Sequence, residues 1–120
     1  MTLARRAAEE LLPLRPVVFH VLLSLADGER HGYAIVQDIA QRSSARLQLE
    51  PGNLYRTLKF MLDEGLIEES DRRPVAGKDD ERRRYYRVTR LGRQVAMAEA
   101  VRLEALASDA RARFAPRTQQ

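Results

Sequence analysis

The sequence predicts a mainly α chain that carries one small β-hairpin and ends in a long helix. Three observations support this. Apolar residues recur at helical spacing through most of the first 65 residues. A break marked by Pro74, Gly77 and Asp79-Asp80 separates Leu66-Ile67 from Tyr85, Tyr86 and Val88, the pattern of two strands joined by a loop. Sequence free of proline then runs from Arg90 to Phe114 with apolar residues on more than one side.

The elements follow in order. Residues 2–12 predict a helix that Thr2 can cap, with Leu3, Ala7 and Leu11 on one face and Pro13 ending it. Pro16 suits the first turn of a second helix, "PVVFHVLLSLA", where its missing N–H costs nothing. That helix is nearly all apolar and is expected at the centre of the core, closed by Asp27-Gly28. A third helix, "HGYAIVQDIAQRSS", has a stripe of Tyr33, Val36 or Gln37, Ile39 and Ala40. "ARLQLE" alternates Leu47 and Leu49 with polar residues and predicts a very short strand. Pro51 opens a fourth helix, "PGNLYRTLKFMLDEG", with Leu54, Leu58, Met61 and Leu62 as its buried stripe; Asn53, Arg56, Thr57 and Lys59 lie off it. Gly65 ends that helix. After the hairpin, Thr89 can cap the long helix, and the tail 115–120 is expected to be disordered.

Composition bounds the function. A chain of 120 residues, 44% apolar, supports one domain with a real core and has no apolar run long enough to span a membrane. The N-terminal arginines are followed by Glu9 and Glu10 where a signal peptide needs its apolar centre, so a cytoplasmic protein is expected. Without cysteine there are no disulfides and no thiolate metal sites. Two histidines, no Gly-rich phosphate loop and no helix-spaced carboxylate pair leave no catalytic set, and neither a metal nor a cofactor is implied. His20, inside the apolar second helix, reads as a core or interface residue, because no second ligand is spaced to join it.

Charge is concentrated. Residues 72–90 carry eight cations (Arg72, Arg73, Lys78, Arg82, Arg83, Arg84, Arg87, Arg90) against three acids, a local +5 in a chain of net +4. A positive field on a nearly neutral body suits a polyanion. Helices followed by a basic hairpin are the logic of a winged helix-turn-helix, in which the second helix of the pair enters the major groove. The hairpin then reaches the flanking backbone. Tyr85 and Tyr86 point to opposite faces of their strand, and pattern alone does not say which faces the core.

"HGYAI" at 31–35, "GNLYRTLKFMLDEGLIE" at 52–68 and "RRRYYRVTRLGR" at 82–93 together resemble the PadR family of bacterial transcription regulators, over about residues 16–104. The resemblance implies a winged helix-turn-helix and a homodimer built through the C-terminal helix. It also implies repression of detoxification, efflux or stress genes, relieved by a small molecule. The single C-terminal helix resembles the short branch of the family. Two departures touch the DNA face: Arg56 stands where the family often has Pro after "LY", and "KFMLDEGL" replaces a more usual "RLEEEGL"-like run.

The expected domains are a winged DNA-binding domain at 1–90 and a dimerisation helix at 91–114. Asn53 and Arg56 are expected to read bases, since Asn pairs bidentately with adenine and Arg with guanine, with Thr57 a weaker reader. Phosphate is expected at Tyr55 and Lys59, at His31 and Tyr33 where "HGY" opens a helix, and at Arg72, Arg73, Lys78, Arg82, Arg83 and Arg84 of the wing. Leu91, Val95 and Leu106 form one side of the long helix. Ala96, Ala100, Leu103, Ala107, Ala110 and Phe114 form another, and these two sides are the expected dimer surface. A pocket lined by Leu11, Phe19, His20, Met97, Val101 and Leu103 is expected to take a small aromatic or amphipathic effector. The alternative function is a protein–protein adaptor that keeps the winged fold without specific DNA binding.

Overall fold

The computed structural model describes residues 8–44, 46, 49–70 and 84–116, and seven elements have their full bounds among those described residues. They are α1 (Pro16–Ser24), β1 (Arg30–His31), α2 (Gly32–Arg42), α3 (Pro51–Asp63), β2 (Ile67–Glu69), β3 (Tyr85–Val88) and α4 (Arg90–Phe114). Residues 8–10 are helical, and the rest of the expected first helix lies outside the described residues. Of the expected strand at 45–50, residues 45, 47 and 48 lie outside the described residues, and Arg46, Leu49 and Glu50 belong to no strand. The third strand is β1, ahead of α2, and two residues are too few to show alternation.

The sheet is antiparallel in the order β1-β3-β2. Arg30 faces Tyr86 and His31 faces Tyr85, while Ile67, Glu68 and Glu69 face Val88, Arg87 and Tyr86. Tyr86 is the ring that faces the core, 5% exposed. Burial, then the neighbouring Glu69 charge, pushes its hydroxyl pKa up.

Val18, Val21, Leu22 and Leu25 put α1 at the centre of the core, against Ile35 and Ile39 of α2 and Leu54, Leu58 and Met61 of α3. The α2 stripe is corrected from the expected one. Ile35 and Ile39 are the buried pair, and Tyr33 stands exposed on the first turn. Polar contacts fasten α2 to α1. The Arg42 guanidinium donates to Asp38 at 2.8 Å, to the Ser24 hydroxyl at 2.8 Å and to the His20 carbonyl at 2.9 Å. Arg30 donates to the Ser24 carbonyl at 2.7 Å. Burial opposes the Asp38 charge, but bonds from Arg42 and Ser24 and the charges of Arg42 and Arg30 outweigh it and hold its carboxyl below the ordinary range.

The α3–β2 turn explains two glycines. Gly65 takes φ +76°, the left-handed conformation that ends a helix. Leu66 N–H then returns to Met61 O at 2.9 Å and Gly65 N–H to Leu62 O at 3.1 Å, the paired closure of a Schellman motif. Thr89 caps α4: its hydroxyl accepts Gly92 N–H at 3.0 Å and donates to Gly65 O at 2.5 Å. Gly92 lets α4 pass against the turn, since a Cβ there would meet Leu66 O at 2.1 Å.

Candidate nucleic-acid interface

The outer face of α3 is set by its inner one. Leu54, Thr57, Leu58 and Met61 are buried at i, i+3, i+4 and i+7, so Asn53, Tyr55, Arg56 and Lys59 project from the body. Thr57 is therefore corrected as a base reader. It is 4% exposed, its small β-branched side chain completes the apolar stripe, and Leu62 moves to the half-buried edge. Arg56 Nη2 donates to Asn53 Oδ1 one turn back. Lys59 pairs with Asp63 at 3.3 Å, so its charge is shared along the same exposed face.

At the start of α2, His31 is the N-cap, its Nδ1 accepting Ala34 N–H at 3.1 Å. That bond places the proton of the neutral ring on Nε2. The ring also stands edge-on to Tyr85, centroids 5.4 Å apart. Of the expected phosphate group, His31 is thus partly committed to the fold, whereas Tyr33 and Tyr55 expose their rings at 60% and 63%. At the hairpin base Arg84 meets Glu69 at 3.1 Å, and Arg87 meets Glu68 at 2.8 Å and Glu29 at 3.8 Å. Arg72, Arg73, Lys78, Arg82 and Arg83 lie outside the described residues.

The long helix divides along its length. Val95 is 0% exposed and belongs to its own core, which corrects its place on a dimer surface. Leu91 and Ala96 pack partly against the same core, and Ala100 is half-buried. From residue 103 onward the helix is exposed, including Leu103, Leu106, Ala107, Ala110 and Phe114.

Two cavities flank Met97. One of about 560 Å³ lies between residues 8–12 and α4, lined by Ala8, Glu9, Leu12, Arg93, Gln94, Met97, Ala98, Val101 and Arg102. The other, about 230 Å³, lies between α1 and α4 and includes Phe19, Leu22, Leu23, Ala96, Met97 and Ala100. Of the expected pocket residues, Met97 and Val101 line the first and Phe19 and Met97 the second. Leu11, His20 and Leu103 line neither of these two cavities. Leu11 packs on the core, the His20 carbonyl accepts from Arg42, and Leu103 is exposed on α4.

Glu99 was missed. Its carboxylate is 1% exposed, accepts Leu14 N–H at 2.9 Å and takes two bonds from Arg102, one at 3.0 Å. The Arg102 bonds, then the Leu14 amide, hold its pKa below the ordinary range against the opposing effect of burial. The signal was in the spacing: Gly92, Val95 and Glu99 are the buried positions of α4, at intervals of three and four.

A two-residue strand, a three-helix core, a hairpin and a projecting last helix are the winged helix-turn-helix arrangement. The pattern of the transcriptional regulator PadR-like family matches residues 21–98, most of the chain. The chain belongs to that family. No curated protein sequence matches it. This PadR-like chain is similar in structure to a transcriptional regulator from Clostridium thermocellum, with TM-score 0.66 and 22% identity, covering 83% of this chain and 90% of that one. A PadR family regulator from Clostridium difficile matches at TM-score 0.66 and 20% identity over 78% of this chain and 93% of its own. Bacillus subtilis PadR, solved in complex with operator DNA, matches at TM-score 0.62 and 25% identity over 72% of this chain and 48% of its own, so this chain spans about half its length.

Proposed function

We propose that this PadR-like regulator is a homodimeric, sequence-specific DNA-binding repressor that a small molecule releases. The observation that carries the reading is the outer face of α3. A fully buried inner stripe holds Asn53, Tyr55, Arg56 and Lys59 clear of the body, on the second helix of a helix-turn-helix pair. That is the helix whose N-terminal residues contact base edges in the major groove. Tyr33 stands exposed on α2, and the arginine-rich sequence between β2 and β3 supports phosphate contacts that set register. The operator complex of Bacillus subtilis PadR supports DNA as the partner.

The exposed apolar end of α4 supports a second copy of the chain as the other partner. The 560 Å³ cavity supports a ligand with an apolar body, seated on Leu12, Met97 and Val101, and a polar end near Glu9, Arg93 and Arg102. Such a ligand acts only through different affinity for the DNA-competent and released arrangements.

The test is fluorescence anisotropy with duplex from upstream of the gene and with random duplex of equal length, at about 0.15 M salt. The regulator binds the upstream DNA on the order of 10³-fold more tightly or better. Equal affinity for both duplexes would favour the adaptor.

A further inference from the structure

We propose that Asn53 does not read a base of its own but aims Arg56, so that the two side chains together select one guanine in each half-site. The inference rests on α3 being the helix that enters the groove.

Three observations carry it. First, Arg56 donates from Nη2 to Asn53 Oδ1. Arginine has only donors, so the amide must present its oxygen, and the orientation of Asn53 follows from chemistry. Second, the guanidinium folds back over the helix start, with Nη1 3.6 Å from where a Cβ on Gly52 would stand. Long helical side chains lean toward the N-terminus, and the first turns of a recognition helix are the part that meets base edges. Third, both residues are exposed, and the core stripe beneath them leaves the pair on the outward face.

The chemistry then separates the two roles. Bidentate pairing with adenine needs the amide oxygen to accept from N6 while the amide nitrogen donates to N7. Asn53 gives one of the two lone pairs of that oxygen to Arg56, so any adenine pair would have to share the oxygen and accept the amide orientation that Arg56 imposes. Arg56 spends one of its five N–H donors on Asn53 and keeps enough of the fork for guanine O6 and N7. A free arginine on a helix surface samples many rotamers. One tied at Nη2 arrives with its plane set, and less freedom is lost on binding. Asn53 is therefore a positioning residue and Arg56 the base-contacting one.

The experiment is selection of preferred duplexes from a library randomised across the operator, with wild type, Arg56→Ala, Asn53→Ala and Asn53→Asp. Thermal melts of all four, expected to coincide because both side chains are exposed, exclude misfolding. Wild type selects one guanine per half-site by roughly 10- to 100-fold. Arg56→Ala loses that preference and no other. Asn53→Ala weakens the preference at the same base, and Asn53→Asp, which keeps an acceptor oxygen, restores it even though its charge lowers overall affinity. The inference is overturned if Asn53→Ala leaves the guanine intact and loses an adenine elsewhere, or if Arg56→Ala leaves the selected sequence unchanged. It is also overturned if Asn53→Asp, melting like wild type, fails to restore the guanine. A wild type that selects no sequence overturns the repressor reading itself, and this inference with it.

Discussion

A β-carbon added at Gly92 would stand 2.1 Å from the Leu66 carbonyl oxygen and 2.7 Å from a Val88 methyl. The nearer atom is backbone, so it cannot swing away as a side-chain tip would. Alanine ordinarily improves a helix by about 1 kcal/mol over glycine. Here Gly92→Ala is expected to destabilise by roughly 1–3 kcal/mol, as overpacking does. Gly52→Ala is the control, since its Cβ would meet only Arg56 Nη1 at an ordinary 3.6 Å. Thermal melts should show position 92 falling by several degrees and position 52 holding or rising. Glu99 supports a second expectation. Its folded pKa is depressed, so it adds stability above its unfolded value of about 4.3, and that stability is lost as pH falls through the lower folded value. Glu99→Gln should cost roughly 1.5–3 kcal/mol at pH 7, the range for hydrogen bonds to a charged group. Below about pH 4 the gap to wild type should close as Glu99 in the wild type protonates. Urea titrations of both proteins at a series of pH values check this, and a gap constant down to pH 3 would count against it.

At the scale of elements, the wing is tested by salt. Among the described residues Arg84 and Arg87 meet acids, so phosphate contact is expected from the arginines further along the hairpin sequence. Arg83→Ala should weaken operator and random DNA alike and reduce the salt slope by about one unit. A loss confined to the operator would show that Arg83 reads sequence instead. The helices and the hairpin strands were legible because proline, glycine and apolar spacing mark them. Pro16 and Pro51 open α1 and α3, Gly65 ends α3, and Thr89 caps α4. What escaped was decided by tertiary partners. β1 exists only because β3 lies beside it. Thr57 looked polar and outward, yet the centre of the stripe lies one position back from Leu62 and takes the threonine in. Glu99 and Arg102 have only the i, i+3 spacing of a surface pair, and the Leu14 amide 85 residues away is what requires a buried acceptor. His20 read as a pocket handle, but Arg42 lies 22 residues away in sequence, and no local pattern announces that contact.

The whole molecule measures 68 × 37 × 23 Å, long for a chain of 120 residues. α4 accounts for this. Its 25 residues span about 37 Å at 1.5 Å per residue, and only its first turns lie on the core. Beyond Arg102 it carries Leu103, Leu106 and Phe114 into solvent, at 39%, 51% and 83% exposure. A lone helix end with this much apolar surface is poorly accounted for in a monomer, which supports the proposed second copy covering it with the same residues by two-fold symmetry. In the proposed dimer two α3 helices would reach one duplex, and the second half-site would bind at high effective concentration. Leu106→Glu is expected to keep the helical spectrum and the melting of the winged body, because residue 106 touches none of the core. It should shift the light-scattering mass from twice 13.7 kDa to 13.7 kDa at micromolar concentration. Operator affinity should fall by roughly 10²- to 10⁴-fold as the linked second site is lost, while affinity for a single half-site stays the same. Wild-type protein already monomeric at that concentration, yet binding its operator at full strength, would remove the dimer from this account and leave the exposed end of α4 without a role.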